Sequence, residues 1–594
     1  MKLLYSVKTF LLISTIGMLT ACALGIKPNN VHTEDWPSYG RDLSSQRFSP
    51  ATQINTQNVK ALVEAWVYKS GVVGSFQTTP IVQNGVMYLS LPFNHVVALN
   101  AQTGKQLWRY NHDKRVDWQM CCGPANRGVA VSGGRVFIGT VDARLIALNA
   151  QTGAKEWDID VVEGAILTEG QDALNKNDPN SARKVTGGTG IGIAMAPMVY
   201  KGKVIVGITG VGYGLHIDNP TADAPLGAVI GVAGRFGRPG FLAAYDMNDG
   251  KREWQFDTIP QTGWEGKFSE TTEDGITFNR DIEQEKADLA KYPDAARFGG
   301  GSAWSSPAID PETDTLYFGT GNPSPQMNDI SRPGDNLYTV SLVALDIKTG
   351  NLKWHYQQVP HDLWGYDLAS PPVLFNYQLN GKTVPAVGQA SKTGWFYIHD
   401  RATGKLLKKT DAFVPQKNMF KKATFEGTIV YPGILGGANW SPVSVDETSQ
   451  HVFVAGIHAP IKYTLHQTPA KGGMPAIRYA ASEPTQDARW GLLSSIDLIS
   501  GKITWQQKTA QPLIGGLLAT AGGLVFMGEG NGHLNAYNSQ TGELLWQAQS
   551  AFGVNAPPIT YTIDGVQYIA VASGGNSIFG YEQGDEVLVY RLKE

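Results

Sequence analysis

Cys121 and Cys122 stand side by side in MCCGPANR, and they are two of only three cysteines among 594 residues. Thiols do chemistry as nucleophiles, metal ligands and redox pairs. Bonding neighbours to one another closes a cramped ring, because an ordinary disulfide holds its Cα atoms further apart. The closed loop would also take almost no entropy from the unfolded chain, so the pair is a poor staple. It reads either as a rigid surface kept for chemistry or stacking, or as two adjacent buried thiols that never pair. The cysteines alone leave both readings open.

The third cysteine lies near the start. Lys2 and Lys8 flank the approach to an apolar run from Phe10 to Leu19, the pattern of an export signal. The run is shorter than the roughly 20 residues that span a bilayer. It ends in Leu19-Thr20-Ala21-Cys22, which resembles the lipobox of bacterial lipoproteins. That resemblance implies a signal peptide over residues 1–21, lipid on Cys22, and a membrane-anchored protein facing the periplasm. An ordinary secretory signal with a chance cysteine is the plainer alternative. Residues 22–34 then form a polar tether. Export would place Cys121 and Cys122 where disulfides persist. A net charge of −3 with no basic cluster argues against nucleic acid as a partner. No Cys-x-x-Cys-His occurs, so no covalently attached c-type haem is expected.

The elements that must position these residues announce themselves by repetition. One phrase recurs as ALNAQTGKQLW (98–108), ALNAQTGAKEW (147–157), AYDMNDGKREW (244–254) and ALDIKTGNLKW (344–354). It returns as SIDLISGKITW (495–505) and AYNSQTGELLW (536–546), and in degenerate form as IHDRATGKLLK (398–408), where Lys408 replaces the tryptophan. Each copy predicts an apolar strand, a tight turn with glycine at a fixed place, and a second strand ending in a large aromatic. A repeat spacing of about forty to fifty residues, doubled where a unit is enlarged, is the signature of a β-propeller. The fold expected for residues 35–594 is all-β, an eight-bladed propeller with tryptophans docked between blades.

The repeat, together with WPSYGRDLSSQRFSP, MCCGPANRGVAV, RPGDNLYTVSLVALD, ASKTGWFYIHDR and GGANWSP, resembles the quinoprotein alcohol dehydrogenases. The resemblance covers essentially all of residues 35–594 and implies an eight-bladed propeller that uses pyrroloquinoline quinone (PQQ). PQQ is a flat ortho-quinone with three carboxylates, so it needs planar walls and cations at its rim. The resemblance implies a Cys121–Cys122 disulfide over one face and Trp304 over the other. It implies Arg127 paired with a PQQ carboxylate, a task that suits a bidentate guanidinium. Lys392 matches a basic position near the quinone oxygens, where it would stabilise developing negative charge. Asn439 matches a hydrogen-bonding position, and Gln77 and Gly210 fall among the positions assigned to the cofactor. Asn322 matches a ligand for calcium or a lanthanide.

The chain departs from the family pattern at chemically telling places. Gly212 stands where a metal-binding glutamate is usual, ahead of a Gly/Ala/Pro-rich insertion carrying Asp218 and Asp223. In Trp364-Gly365-Tyr366-Asp367 the position of the usual base is a glycine. Gly192 and Ala194 replace threonines that usually contact a PQQ carboxylate, and Gln77 stands where a glutamate is common. Asp367 is the candidate to substitute as base or metal ligand, with Asp362 a weaker one.

In the family mechanism a base takes the hydroxyl proton, hydride moves to the quinone, and a cation polarises the quinone carbonyl. The function expected is therefore oxidation of a small-molecule or polymeric alcohol, with electrons leaving to a separate acceptor. The alternative is a propeller lipoprotein that binds PQQ or another ligand without turnover, or that serves as an envelope scaffold.

Overall fold

Each repeat phrase folds as the turn between the last two strands of a four-stranded antiparallel meander, to which Phe48–Ser49 adds a parallel fifth strand in the sheet of the 536–546 copy. In the first, Asn100 Oδ1 accepts from the backbone N–H of Gln102 at 3.1 Å and of Thr103 at 2.9 Å. Gly104 then closes the turn at φ +72°, its N–H donating to Asn100 O at 2.8 Å. Glycine reaches this left-handed conformation without steric cost. Its missing side chain has a second use, because a Cβ at Gly153 would strike the ring of Trp108 from the preceding sheet. The same pairing joins Gly104 to Trp66, Gly250 to Trp157, Gly350 to Trp254, Gly404 to Trp354 and Gly542 to Trp505.

The indole N–H then donates to the carbonyl three residues before the glycine. Trp108 reaches Ala150 O, Trp254 reaches Ile347 O and Trp505 reaches Ser539 O, each at 2.9 Å. At the degenerate copy, the aliphatic stem of Lys408 lies against Gly501 instead. Trp254→Ala is expected to lower unfolding free energy by about 3–5 kcal/mol, the usual cost of emptying a buried tryptophan site. Lys408→Ala should cost no more than about 0.5 kcal/mol. Denaturant unfolding of the two variants checks the difference.

The computed structural model describes residues 35–114, 124–162, 185–186, 191–211, 216–217, 238–468 and 477–593. Among them, seven sheets follow one another in chain order, from Ile81–Gln83, Val86–Ser90, Val96–Asn100 and Gln106–Tyr110 to Leu517–Thr520, Leu524–Gly528, His533–Asn538 and Leu544–Gln549. The eighth joins the two ends of the described chain. Ile559–Ile563, Val566–Ser573 and Gly584–Leu592 take Leu62–Gly74 as their outermost strand, with Val67 opposite Leu588. This sheet carries no copy of the repeat phrase, so the sequence displays only seven of its eight units.

The segment WPSYGRDLSSQRFSP braces that closure. Arg47 is fully buried and donates to Leu517 O at 2.8 Å and Pro558 O at 2.7 Å, tying the seventh and eighth sheets together. Its guanidinium carbon lies 5.2 Å from the centre of the Trp36 ring.

Two insertions enlarge the middle of the chain. One holds Ile282–Asp288, the single α-helix among the described residues, capped where Asp281 accepts from Gln284 N–H at 3.0 Å. The other is a hairpin of Ile461–Thr468 and Ile477–Pro484 that pairs with Thr428–Val430 as an extra sheet. Both insertions contribute to the surroundings of the site.

Candidate active site

The lead-in to the first strand of each sheet supplies the site. Gln77, Trp304, Trp440 and Asn555 each stand four residues before such a strand, ahead of Ile81, Ala308, Ser444 and Ile559. Two of these equivalent positions, Trp304 and Trp440, meet at one arginine although the chain separates them widely. Arg127 shows the convergence most directly. Its guanidinium carbon is 4.9 Å from the centre of the Trp304 ring and 4.8 Å from that of Trp440. Its backbone N–H donates to Ala194 O and its carbonyl accepts from Thr79 N–H, both at 3.0 Å. The guanidinium thus meets the lead-ins of the fourth and sixth sheets, while the Arg127 backbone ties its own lead-in to those of the first and third.

Trp304 connects this stack to the candidate base. Its indole Nε1–H donates to Asp367 Oδ2 at 2.9 Å. The other carboxylate oxygen forms an ion pair with Lys392 Nζ, and both side chains are buried. Lys392 also donates to Gly365 O at 2.9 Å and Ile434 O at 3.0 Å, so the ammonium is fully engaged. A buried pair survives desolvation only with such additional hydrogen bonds. Asp367 and Lys392 are thus neither a plain turn residue nor a solvated surface lysine.

Asp362, the weaker candidate in the sequence, has a different role. It is wholly buried, and its two oxygens accept from the backbone N–H groups of Trp364, Gly365 and Tyr366 at 3.1–3.2 Å. The half-buried Asn322 adds its Nδ2–H at 2.9 Å. Burial raises the Asp362 carboxyl above its ordinary pKa even against these hydrogen bonds. This carboxylate folds the loop that presents Asp367. Arg332, also wholly buried, clamps the loop to its neighbour by donating to Asp362 O at 2.6 Å and Gln326 O at 2.9 Å.

Gly365 sits at φ +84°, and a Cβ there would run into Ile434 and the amide nitrogen of Gln326. Gln326 fills the space where a side chain at position 365 would begin. Sequence reading missed this residue, because nothing in NPSPQM marks it until its loop folds against Gly365. Trp440 was missed as well. Only its match in register to Trp304, four residues before a strand, could have found it.

Gly192 packs on the backbone of Val141, which leaves no room for a threonine there. Asn439 is expected from the sequence to hydrogen-bond a cofactor. In the structure its amide shapes its own loop, accepting from Trp440 N–H at 2.8 Å and donating to Leu435 O at 2.9 Å. Gln77 is buried with no hydrogen-bond partner on Oε1, and Gly210 is buried at φ +78°. Cys22, Cys121, Cys122, Gly212, Asp218 and Asp223 lie outside the described residues.

A charged network flanks the Asp362 loop. His361 Nε2 lies 3.2 Å from Asp329 Oδ2, and Lys422 donates to the same oxygen at 3.1 Å. Burial alone would raise the Asp329 carboxyl, but the His361 hydrogen bond and charge, with Lys422, hold it well below the usual range. A carboxyl with a depressed folded pKa stabilises the protein above its unfolded value, near pH 4, and the contribution fades as pH falls below that. Asp329→Asn should therefore flatten the loss of thermal stability below about pH 4. Melting curves from neutral to acid pH check this.

Comparison with known proteins establishes the family and the fold. The family model described as "PQQ: Glucose/ethanol/alcohol dehydrogenase, beta-propeller domain" matches residues 36–419 and 408–569. The solved quinohemoprotein alcohol dehydrogenase of Comamonas testosteroni superposes with a TM-score of 0.75 at 31% identity, covering 94% of this chain and 80% of that one. The fold is accordingly a β-propeller of the quinoprotein type.

In sequence, the quinohemoprotein alcohol dehydrogenase of Comamonas testosteroni is 33% identical over 587 residues, covering 93% of this chain and 75% of the relative. Quinoprotein alcohol dehydrogenase PedH of Pseudomonas putida is 32% identical over 561 residues, covering 90% and 85%. This chain belongs to the family of PQQ-dependent quinoprotein alcohol dehydrogenases.

The residues present fit such a cofactor. A buried guanidinium lying against two indoles suits a planar, polyanionic ligand. They fit a hard cation less well. Among the described residues no three His, Cys, Asp or Glu side chains cluster, and Asp367 is already held by an ammonium and an indole.

Proposed function

We propose that this protein is an exported, lipid-anchored, eight-bladed dehydrogenase that oxidises an alcohol or related hydroxyl compound with PQQ. The observation that carries the reading is the buried Asp367 carboxylate, held by Lys392 and Trp304 beside the Arg127 stack. When bound, PQQ supplies the two-electron acceptor that alcohol oxidation requires. Arg127 would pair with one of its carboxylates, Trp304 and Trp440 would wall it, and Gln77 would offer its amide oxygen to a donor on the ring; Cys121 and Cys122 would serve it as a disulfide.

Asp367 receives the hydroxyl proton in place of the base that Gly365 lacks. Lys392 compensates the carboxylate before that transfer and keeps it aimed through its bonds to Gly365 O and Ile434 O. The indole of Trp304 orients the second oxygen. A hard cation takes six to eight oxygen ligands. Asn322 and Asp367 fall far short of that number, so no step is assigned to calcium or a lanthanide. The proposal passes the electrons to a separate acceptor.

A second reading, a propeller that binds the quinone without turnover, is favoured by Gly365 alone. Dye-linked oxidation separates the two. Protein supplied with PQQ, with and without calcium or a lanthanide, should reduce dye in the presence of primary, secondary or polymeric alcohols. No retained quinone overturns both readings, and retained quinone without dye reduction favours the second. The anchor is tested apart, by fatty-acid labelling that Cys22→Ala should abolish.

A further inference from the structure

Behind the loop that carries Asp367 lies a cavity of about 220 Å³. Leu363, Trp364, Tyr463 and Leu465 form its apolar walls, and Lys422, Arg478 and Asp329 stand among the residues that line it, the Asp329 carboxylate being compensated by Lys422 and His361. The 461–484 hairpin supplies one side, and the loops around residues 327–330 and 422–423 supply the others. Its volume falls below the about 300–1,000 Å³ of drug-sized sites and suits a single ring or a short chain.

The two cations are not equivalent. Lys422 already shares Asp329 with His361. Arg478 forms no ion pair with a carboxylate among the described residues, and its guanidinium is laid 5.2 Å over the exposed ring of Phe425. A planar guanidinium held by stacking keeps its donor edges for a carboxylate, which it binds in bidentate fashion. The walls are equally well fixed. Tyr463 Oη donates to Trp364 O at 2.7 Å, and Trp364 Nε1 donates to Lys421 O at 2.8 Å.

We propose that this cavity is a second binding site, for a small aromatic or short-chain carboxylate, with the anion on Arg478 and the apolar body against Trp364 and Leu465. The site is separate from the Arg127 stack and does not depend on quinone turnover.

Isothermal titration of the purified full chain with benzoate tests it, with benzamide as the neutral control. Benzoate is expected to bind with a Kd of about 1 mM or tighter, equivalent to roughly −4 kcal/mol. Arg478→Gln should weaken it about ten-fold, benzamide should bind at least as weakly, and Ala423→Trp should block the cavity. Arg478 is exposed and Ala423 half-exposed, so both variants should fold. Absence of benzoate binding overturns the proposal. So does binding that Arg478→Gln and Ala423→Trp leave unchanged, because that places the ligand elsewhere.

Discussion

Asp367→Asn is expected to lower kcat/KM for alcohol oxidation by about 10²–10⁴-fold, the range contributed by a positioned general base. The asparagine keeps the shape and can still accept from the Trp304 indole, so the quinone site should remain intact. It leaves Lys392 with no compensating charge in a buried setting. Removing one member of such a pair costs about 3–5 kcal/mol of stability. The double change Asp367→Asn with Lys392→Met should recover much of that stability while turnover stays lost, since a neutral pair needs no compensation. Dye-linked rates and denaturant melts on the three variants separate the two effects. A wild-type rate in Asp367→Asn would remove Asp367 from the chemistry.

The second large effect concerns the position where the family base is missing. Restoring it by Gly365→Asp should fail. A non-glycine residue at φ +84° carries strain of about 1–3 kcal/mol. The new Cβ also meets Ile434 and the Gln326 amide, and overpacking of that kind costs about 1–3 kcal/mol more. The variant is expected to be less stable by about 2–6 kcal/mol and to gain no activity. Adding Gln326→Ala removes one of the two clashes and should return part of the stability. Thermal unfolding of Gly365→Asp alone and with Gln326→Ala checks this. A stable, faster Gly365→Asp would mean that the loop adapts and that Asp367 is not the acting base.

These two positions show how far the sequence could be read. The propeller was legible because its stabilising device is local and repeated. An Asx residue, a glycine four places on and a tryptophan four places further on are visible in the chain, and each makes the contact its type predicts. Where the device is absent, the sequence was silent. The closing sheet has strands from both ends of the described chain and no repeat phrase, so only pairing such as Val67 with Leu588 reveals it.

The site was legible residue by residue but not as an arrangement. Arg127, Trp304, Lys392 and Asp367 were singled out, yet their mutual contacts depend on loops from different sheets. The Lys392–Asp367 pair and the Trp304–Asp367 hydrogen bond span sequence separations that carry no periodic signal. Gln326 was invisible for the same reason, since its meaning lies in the side chain that Gly365 lacks. Asp362 could be read either way from the sequence. An acidic residue beside WGYD looks chemical, and only its bonds to three backbone N–H groups show that it builds the loop.

Alcohol oxidation here requires a carboxylate at position 367 acting beside a bound quinone. Its most direct test is a single turnover without dye or acceptor. Protein loaded with one equivalent of PQQ is mixed anaerobically with a primary alcohol while the absorbance of the cofactor is followed. Full conversion of the bound cofactor to its reduced spectrum, about one equivalent per chain, is the predicted result. An unchanged spectrum with the quinone still bound, across primary, secondary and polymeric alcohols, would contradict it.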